Sequence, residues 1–189
     1  MDNKIISKIF PFSQNSKMLK YDNEGLWSIT LPDDADTISN IIINMSSKVN
    51  NIFDGTAGIG GNTISFAKYF NKVYAFEIDK ERYDILKSNI KAYDINNIEV
   101  YNNNCLDYLN NMYDLYFFDP PWGGHSYKYK NNIRLKLGNI ELIEIVKKIR
   151  EKNNAIICFK LPSNYDINEF INYNYTKIKI NKYILIIIH

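Results

Sequence analysis

The chain has 189 residues, 46% of them hydrophobic, and a formal net charge of +2. This length and composition suffice for one buried core, so we expect a single domain. The nearly neutral charge argues against a protein that holds a long nucleic-acid backbone without sequence preference. We expect a nucleic-acid partner to be held at one nucleotide or one end.

The same composition indicates the compartment. Cys105 and Cys158 are the two cysteines, both in apolar or strand-like surroundings, which argues against a disulfide framework and for a reducing compartment. No zinc-ligand spacing occurs, so we expect no metal site. The N-terminal apolar stretch is too short for a signal peptide, and the run 184–188 is too short to span a bilayer. We therefore expect a soluble, intracellular monomer of the nucleus or cytoplasm, or of a cytoplasmic replication site if viral.

Residues 1–35 lack a clear hydrophobic period, and we expect them to form an N-terminal arm that packs on a catalytic domain of residues 36–189. The arm carries aromatic side chains that need burial: Phe10, Phe12, Tyr21 and Trp27. Asp36 is expected to cap an amphipathic helix, because apolar residues recur at intervals of three and four from Ile38 to Val49.

A glycine-rich loop follows the first predicted strand, which ends at Asp54. Such a loop lets the backbone approach a ligand, but tight strand-to-helix turns also use glycine for structural reasons alone. The acid before the loop suits a ligand with a cationic amino group, and the absence of a Walker lysine argues against a nucleoside-triphosphate site. The cofactor-binding candidates in the loop are Gly55, Thr56 and Gly58.

Two further acids follow the next predicted strands. Glu77 ends the second strand, where it can accept hydrogen bonds from ribose hydroxyls. Asp107 follows the third strand, where it can accept from an adenine amino group. Asp79 more simply caps the next helix. In chain order, Asp54, Glu77 and Asp107 thus suit the methionine, ribose and adenine parts of S-adenosylmethionine.

The segment 119–124, Asp-Pro-Pro-Trp-Gly-Gly, follows directly on an apolar run. The two prolines fix φ and remove two backbone donors, so the Asp119 carboxylate and the Pro120 carbonyl can accept hydrogen bonds from an exocyclic amine. Trp122 offers a π-face on which a base could lie. This pattern indicates chemistry on a nucleobase amino group, with Asp119, Pro120 and Trp122 as the catalytic candidates.

Strands and helices alternate along the chain, which is typical of a doubly wound, Rossmann-like α/β sheet with helices on both faces. The last two strands are separated only by Asn181 and Lys182, so they must form a hairpin, and one terminal strand runs antiparallel. That strand distinguishes the seven-stranded, mostly parallel sheet of class I S-adenosylmethionine-dependent methyltransferases from a plain dinucleotide-binding sheet. The predicted strands are 51–54, 73–76, 98–101, 114–119, 155–160, 175–180 and 183–188.

Five segments in order resemble the catalytic domain of the trimethylguanosine synthase family of RNA cap guanine-N2 methyltransferases. They are LKYDNEGLWSIT, FDGTAGIGGNTISFA, VYAFEIDKERYDILKSNIKAYDI, CLDYL and FFDPPWGG. Many amino-methylating enzymes share the acid-Pro-Pro-aromatic core, whereas PPWGG together with DNEGLWSIT is far more specific. The resemblance implies methyl transfer from S-adenosylmethionine to the 2-amino group of a 7-methylguanosine cap on RNA, which is hypermethylated cap synthesis.

The resemblance also implies residue roles. Trp122 would stack on 7-methylguanine, whose positive charge gains roughly 0.5 to 2 kcal/mol over an indole face. Ser28 lies in one of the resembling segments and is a substrate-binding candidate, and Tyr127 is either packing or a second wall for the base. The residues implied around the methyl donor are Phe12, Thr30, Asp54, Asn62, Glu77, Asp107, Asp119 and Pro120.

Three positions depart from the family pattern. Asp119 stands where the family usually has Ser, as in the wider amino-methyltransferase group, and Glu77 replaces the usual Asp. Ser163 stands where the family carries an Arg that binds the cap phosphates, so we expect other cations to hold them. The candidates are Lys4, Lys8, Lys128, Lys130, Arg134, Lys136, Lys160 and Lys182.

The expected mechanism is direct in-line transfer, with Asp119 and the Pro120 carbonyl turning the amine lone pair toward the methyl group. Two alternatives stay open from the sequence. One is a methyltransferase that acts on an amino group within ribosomal RNA, transfer RNA or DNA. The other is a catalytically silent cap-binding protein, against which the retained acids of the cofactor pocket argue.

Overall fold

The computed structural model describes residues 3–46 and 48–189. The helices are α1 Asn3–Ile9, α2 Asn23–Ser28, α3 Pro32–Met45, α4 Gly61–Tyr69, α5 Lys80–Ala92 and α6 Leu142–Arg150. The strands are β1 Asn51–Asp54, β2 Lys72–Phe76, β3 Ile98–Tyr101, β4 Leu115–Phe118, β5 Lys136–Leu137, β6 Ile140–Glu141, β7 Ile156–Pro162, β8 Tyr175–Ile180 and β9 Tyr183–Ile188. Short 3-10 helices lie at Ser16–Met18, Cys105–Tyr108, Gly124–Tyr129 and Ile167–Phe170.

Seven strands form one sheet in the order β3-β2-β1-β4-β7-β9-β8, and β5 and β6 form a separate hairpin. The pairs β1–β2, β2–β3 and β4–β7 are parallel, whereas β9 runs antiparallel to both β7 and β8. Every residue of β4 and β9 is buried, and because neighbouring side chains of a strand point to opposite faces, both faces of these strands are covered. The predicted Rossmann-like α/β fold with an antiparallel last strand is confirmed.

The chain divides into two compact units, residues 1–105 and 106–189, called here the N-terminal unit and the C-terminal unit. The N-terminal unit holds α1 to α5 with β1 to β3. The C-terminal unit holds β4 to β9 and α6, whose apolar side chains Leu142, Ile145, Val146 and Ile149 are buried. None of the helices in the described parts of the chain is long and apolar enough to cross a membrane.

The N-terminal arm is more regular than its sequence predicts, since it contains α1 and α2. Helix α3 begins at Pro32 and not at Asp36, so the predicted cap is wrong. Proline suits the first turn of a helix, and two acids in that turn favour the same start. Asp36 instead lies inside α3, where its carboxylate accepts hydrogen bonds from Ser65 Oγ at 2.6 Å and Lys68 Nζ at 3.1 Å.

Not every arm aromatic is buried, contrary to expectation. Phe10 is buried, but Phe12 is 90% exposed and Trp27 is 76% exposed. The arm lies against α5, because Ser13 Oγ donates to the Ala92 carbonyl at 2.6 Å and Tyr93 Oη donates to the Pro11 carbonyl at 2.7 Å. The predicted boundary between residues 35 and 36 stays a prediction.

One buried amide joins the arm, α5 and the loop after β1. The Asn89 side chain accepts from the Lys20 N–H at 2.8 Å and donates to the carbonyls of Lys20 at 3.0 Å and Ile59 at 2.8 Å. Asn89 is fully buried, so its partners would lose their hydrogen bonds away from water if it were truncated.

We expect Asn89→Ala to lower the free energy of unfolding by about 1 to 3 kcal/mol, the cost of leaving buried backbone groups unsatisfied. Denaturant titration followed by circular dichroism measures this change. Asn103→Ala, at an exposed position, is the control. Equal free energies of unfolding for the two variants would contradict the role of Asn89 in joining the arm to α5.

Candidate active site

The loop after β1 is braced by the acid that precedes it. Asp54 is fully buried, and its carboxylate accepts from Thr63 Oγ1 at 2.6 Å and from the Thr56 N–H at 3.3 Å. These contacts tie the start of the loop to α4. Gly55 is buried inside the turn, while Thr56 and Gly58 are partly exposed. In this structure Asp54 therefore shapes the loop, and it has no exposed surface of its own.

Glu77 braces the other side of the same loop. Its Oε2 accepts from the Gly58 N–H at 2.9 Å, and its Oε1 accepts from the Asp79 N–H at 2.8 Å. Burial of the carboxyl raises the pKa of Glu77 above 4.5, against the opposing effects of the two backbone donors and of Arg82. Asp79 accepts from the Arg82 N–H at 2.9 Å, so its predicted role as the helix cap of α5 is confirmed.

Two glycines give the loop its shape. Gly58 has a φ of +54° and Gly60 a φ of +107°, a region that side-chain-bearing residues rarely adopt. A Cβ atom at Gly60 would lie 2.9 Å from Leu86 Cδ1, whereas nothing lies within 4 Å of the position that a Cβ at Gly58 would take. Gly60 is thus needed for packing, and Gly58 leaves its backbone open to the approach of a ligand.

A buried acceptor lies beyond the loop, at the first turn of α4. Asn62 Nδ2 donates to Thr30 Oγ1 at 3.0 Å. Asn62 Oδ1 is buried and accepts no hydrogen bond from any residue that the structure describes. A buried amide oxygen without a donor is costly, so this atom fits a ligand that carries an N–H or O–H donor.

Three other predicted residues lie at the surface. Phe12 is exposed, as is Ser28, whose hydroxyl donates to the Glu24 carbonyl at 2.9 Å. Asp107 is exposed in the 3-10 helix Cys105–Tyr108. These side chains are accessible to a ligand, and their predicted roles stay predictions.

In the C-terminal unit, Asp119 forms a buried ion pair. Asp119 Oδ2 lies 2.6 Å from Lys160 Nζ, and the two side chains are 13% and 7% exposed. Strand pairing brings them together, because Phe118 on β4 lies opposite Phe159 on β7 in parallel register. Lys160 was predicted as a candidate for the cap phosphates. Its ammonium is instead buried against Asp119, so we no longer expect it to hold a phosphate.

Trp122 packs among charged and aromatic neighbours. Lys160 Nζ lies 5.2 Å from the centroid of its ring and 5.0 Å from the centroid of the Tyr183 ring. The Tyr127 ring meets Trp122 edge to face, with centroids 5.2 Å apart and planes at 83°. Tyr127 thus supports the indole from the side, since a parallel second wall for a base would require a smaller angle.

A pocket of about 630 Å³ begins at Trp122 in the C-terminal unit. Its basic lining residues are Lys130, Arg134 and Lys136. Arg134 pairs with Asp166 at 3.1 Å, and Lys136 lies 3.7 Å from Glu141. The pocket joins a flat aromatic surface to cations, which suits a nucleotide. Other predicted cations, Lys128 and Lys182, are exposed.

The sequence did not reveal the partner of Asp119 or the contact between Lys160 and Trp122. A lysine in an otherwise apolar strand, Ile156–Pro162, was the one signal available, because a buried lysine generally needs a counter-charge. The pairing itself depends on which strand lies beside β4, and the sequence does not state that.

Comparison with known proteins gives a consistent result. The chain is 36% identical over 213 residues to an uncharacterized protein of Acanthamoeba polyphaga mimivirus, an alignment that covers 95% of this chain and 83% of that one. It is 28% identical over 170 residues to trimethylguanosine synthase of Schizosaccharomyces pombe, covering 86% and 70% of the two chains. An rRNA methylase structure from Streptococcus thermophilus shares the fold, with a TM-score of 0.52 and 15% identity over 85% of this chain and 96% of that chain.

A family model described as RNA cap guanine-N2 methyltransferase matches residues 49–186, which include β1 to β8 and the segment 119–124. The match spans more than half of the chain and contains both the glycine loop and the Asp-Pro-Pro-Trp segment. The chain therefore belongs to the RNA cap guanine-N2 methyltransferase family.

Proposed function

We propose that the protein transfers a methyl group from S-adenosylmethionine to the 2-amino group of a 7-methylguanosine cap on RNA. Methyl transfer is supported by the family and by the fold. The observation that carries the cap substrate is the combination of an ionised acid, Asp119, with an indole, Trp122, at the start of a pocket lined by cations.

The residues of the N-terminal unit fit the methyl donor. When bound, S-adenosylmethionine supplies an electrophilic methyl group on a positively charged sulfur. Asn62 Oδ1 is a buried acceptor that suits the donor's amino group, and Gly58 leaves open space for close approach. Glu77 has further lone pairs that suit ribose hydroxyls. Asp54 acts by fixing the loop, and the exposed ring of Phe12 offers a stacking surface for a purine.

Asp119 and Pro120 have the roles of acceptors for the reacting amine. A guanine amine is a weak nucleophile because its lone pair is delocalised into the ring. Hydrogen bonds from the amine to the Asp119 carboxylate and the Pro120 carbonyl would turn that lone pair out of the ring plane. The same carboxylate stabilises the positive charge that develops on nitrogen, which is an electrostatic contribution made mainly in the transition state.

Trp122 has the role of recognising the base. Methylation at position 7 makes guanine cationic, and a cation over an indole face is stabilised by about 0.5 to 2 kcal/mol. Lys130 and Arg134 line the pocket that begins at Trp122 and can neutralise the cap phosphates in place of the arginine that Ser163 replaces. Exposed Lys128 and Lys182 are further candidates for phosphate contact.

Two residues favour a second kind of methyl-acceptor substrate. Asp119 matches the wider amino-methyltransferase group, and Ser163 removes the usual phosphate-binding arginine. Both observations suit an amino group within ribosomal RNA, transfer RNA or DNA. A catalytically silent cap-binding protein is disfavoured, because such a protein would have no need for the buried acceptor Asn62 Oδ1, which has no hydrogen-bond donor within the described parts of the chain.

Incubation with radiolabelled S-adenosylmethionine tests the proposal. The acceptors are 7-methylguanosine diphosphate, guanosine diphosphate and oligonucleotides of RNA and DNA. We expect label in the 7-methylated nucleotide and little in guanosine diphosphate. Label only in oligonucleotides would support the second acceptor, and no label in any of them, with retained binding of 7-methylguanosine diphosphate, would support the silent cap-binding protein.

We expect donor affinity to rise with pH across the acid range because of Glu77. Its raised pKa means that the folded state holds this proton more tightly than the unfolded chain, so the associated stability is present below pH 4.5 and is lost as pH rises through the folded pKa. Ribose hydroxyls donate better to the ionised carboxylate. The affinity for S-adenosylmethionine therefore rises with pH, whereas the stability contributed by Glu77 falls. Below the folded pKa, affinity falls by up to about tenfold per pH unit.

Calorimetric titration with S-adenosylmethionine from about pH 4 to about pH 7, a range that starts below the ordinary pKa of a Glu carboxyl, measures this dependence. Glu77→Gln should bind more weakly at neutral pH and show a flat profile. Asp84→Asn, which removes an exposed partner of Lys80, is the control and should keep the wild-type profile. An unchanged profile in Glu77→Gln would exclude Glu77 as the titrating group.

A further inference from the structure

The acceptor carboxylate is not held by the prolines alone. Lys160 lies on β7 with its Nζ 2.6 Å from Asp119 Oδ2, and both side chains are largely shielded from water. The same ammonium lies near the rings of Trp122 and Tyr183, at 5.2 and 5.0 Å from their centroids. One cation therefore contacts the acid and both rings.

This arrangement fixes three groups relative to one another. Lys160 lies opposite Leu185 on β9, so Tyr183, two residues away along β9, falls on the same face of the sheet. The ammonium thereby lies on a strand that pairs on both sides with fully buried strands, β4 and β9. A charge-assisted hydrogen bond from a confined donor restricts the rotation of the carboxylate, and the cation over the indole restricts the ring.

The charge of Lys160 also affects what Asp119 can do. A carboxylate beside an ammonium is a weak base but a good hydrogen-bond acceptor, because its charged form is favoured. The nitrogen–carbon bond forms as the carbon–sulfur bond breaks, the electron pair passes to sulfur, and the proton then leaves the nitrogen for solvent. Asp119 needs only to remain ionised and correctly directed throughout.

We propose that Lys160 is a positioning residue for methyl transfer, which holds Asp119 ionised and directed beside Trp122. The inference rests on the proposed function. It also accounts for the departure at position 119: an acid in place of the usual Ser adds a buried negative charge, and Lys160 supplies the compensating positive charge. Lys160 acts through Asp119, so Lys160 should contribute little to kcat once the Asp119 carboxylate is removed.

The experiment is a double-mutant cycle of Asp119→Ser and Lys160→Met, with Lys160→Arg as the conservative variant. Lys177→Met, at an exposed position of β8, is the matched control. The acceptor is whichever substrate the wild type methylates. We expect Lys160→Met to lower kcat by about 30-fold or more with KM for S-adenosylmethionine changed by less than about threefold, and Lys160→Arg to recover much of the rate.

The cycle separates positioning from a general structural role. In the Asp119→Ser background, Lys160→Met should lower kcat by less than about threefold further, because the pair is already broken. Additive losses, or a kcat for folded Lys160→Met close to that of wild type, overturn the inference. If Lys160→Met does not fold, the double variant decides: a kcat equal to that of Asp119→Ser supports it, and a further large loss overturns it. Wild-type activity only on oligonucleotides would overturn the proposed cap substrate. The test of Lys160 would then be made with the oligonucleotide as substrate.

Discussion

Asp119→Asn is expected to lower kcat by about 10²- to 10³-fold while the affinity for S-adenosylmethionine changes little. Asparagine has the same shape, but it has no charge to stabilise the nitrogen as it becomes positive. Its amide group also places a donor where the amine needs an acceptor. In the proposed role, Asp119 contributes in the transition state, so the loss should fall on kcat.

Single-turnover kinetics and calorimetric titration with S-adenosylmethionine separate these quantities. A loss of donor affinity as large as the loss of kcat would contradict the proposed role of Asp119. The same substitution leaves the Lys160 ammonium buried without a counter-charge, so we also expect the free energy of unfolding to fall by about 3 to 5 kcal/mol. Glu144→Gln is the control, because it breaks an exposed pair with Lys147, which is worth about 0 to 1 kcal/mol.

Trp122→Ala is expected to lower kcat/KM for 7-methylguanosine diphosphate by about 10²-fold, from lost stacking and lost cation–π attraction. Stacking holds the base in the ground state as well as in the transition state, so most of the loss should appear as a higher KM. The preference for the 7-methylated base over guanosine diphosphate should fall toward unity, because in the proposed function the indole is the group that responds to the charge of the base.

Tyr129→Ala is a matched control, because Tyr129 belongs to the 3-10 helix that follows Trp122 and is 90% exposed. Its kcat/KM should stay within about threefold of wild type, as for most exposed side chains outside a site. Trp122→Phe, which keeps a smaller π-face, should retain part of the preference. If Trp122→Ala kept the full preference for the 7-methylated base, recognition of charge by the indole would be excluded.

Several elements of the fold follow from local sequence signals. The two-residue connection Asn181-Lys182 left no room for a crossover, and Asn181 indeed adopts a φ of +49°, a conformation that asparagine tolerates better than most residues. Asp79 precedes a helix with the usual N-cap chemistry, and its side chain caps α5. Strands β8 and β9 begin and end as predicted, because the polar pair Asn181-Lys182 separates an alternating segment from an apolar one.

The start of α3 shows where local signals compete. Asp36 and the segment Pro32–Asp34 both carry helix-start chemistry within one turn of each other. The structure starts the helix at Pro32, and Asp36 is used instead in a polar contact with Ser65 and Lys68 on α4. Proline and the two acids of the first turn favour the start at Pro32, and Asp36, one turn later, is left to make a tertiary contact.

The sequence by itself determined the fold class and the order along the chain of the seven strands of the main sheet. Hydrophobic periodicity, turn chemistry and the fixed φ of proline act within a few residues, so they can be read directly along the chain. The tertiary structure alone decided that Lys160 pairs with Asp119, that Asn89 joins the arm to α5, and that Asn62 Oδ1 has no partner among the residues that the structure describes. These contacts join residues 30 to 70 positions apart, and they depend on strand register and helix packing, which only the assembled core fixes.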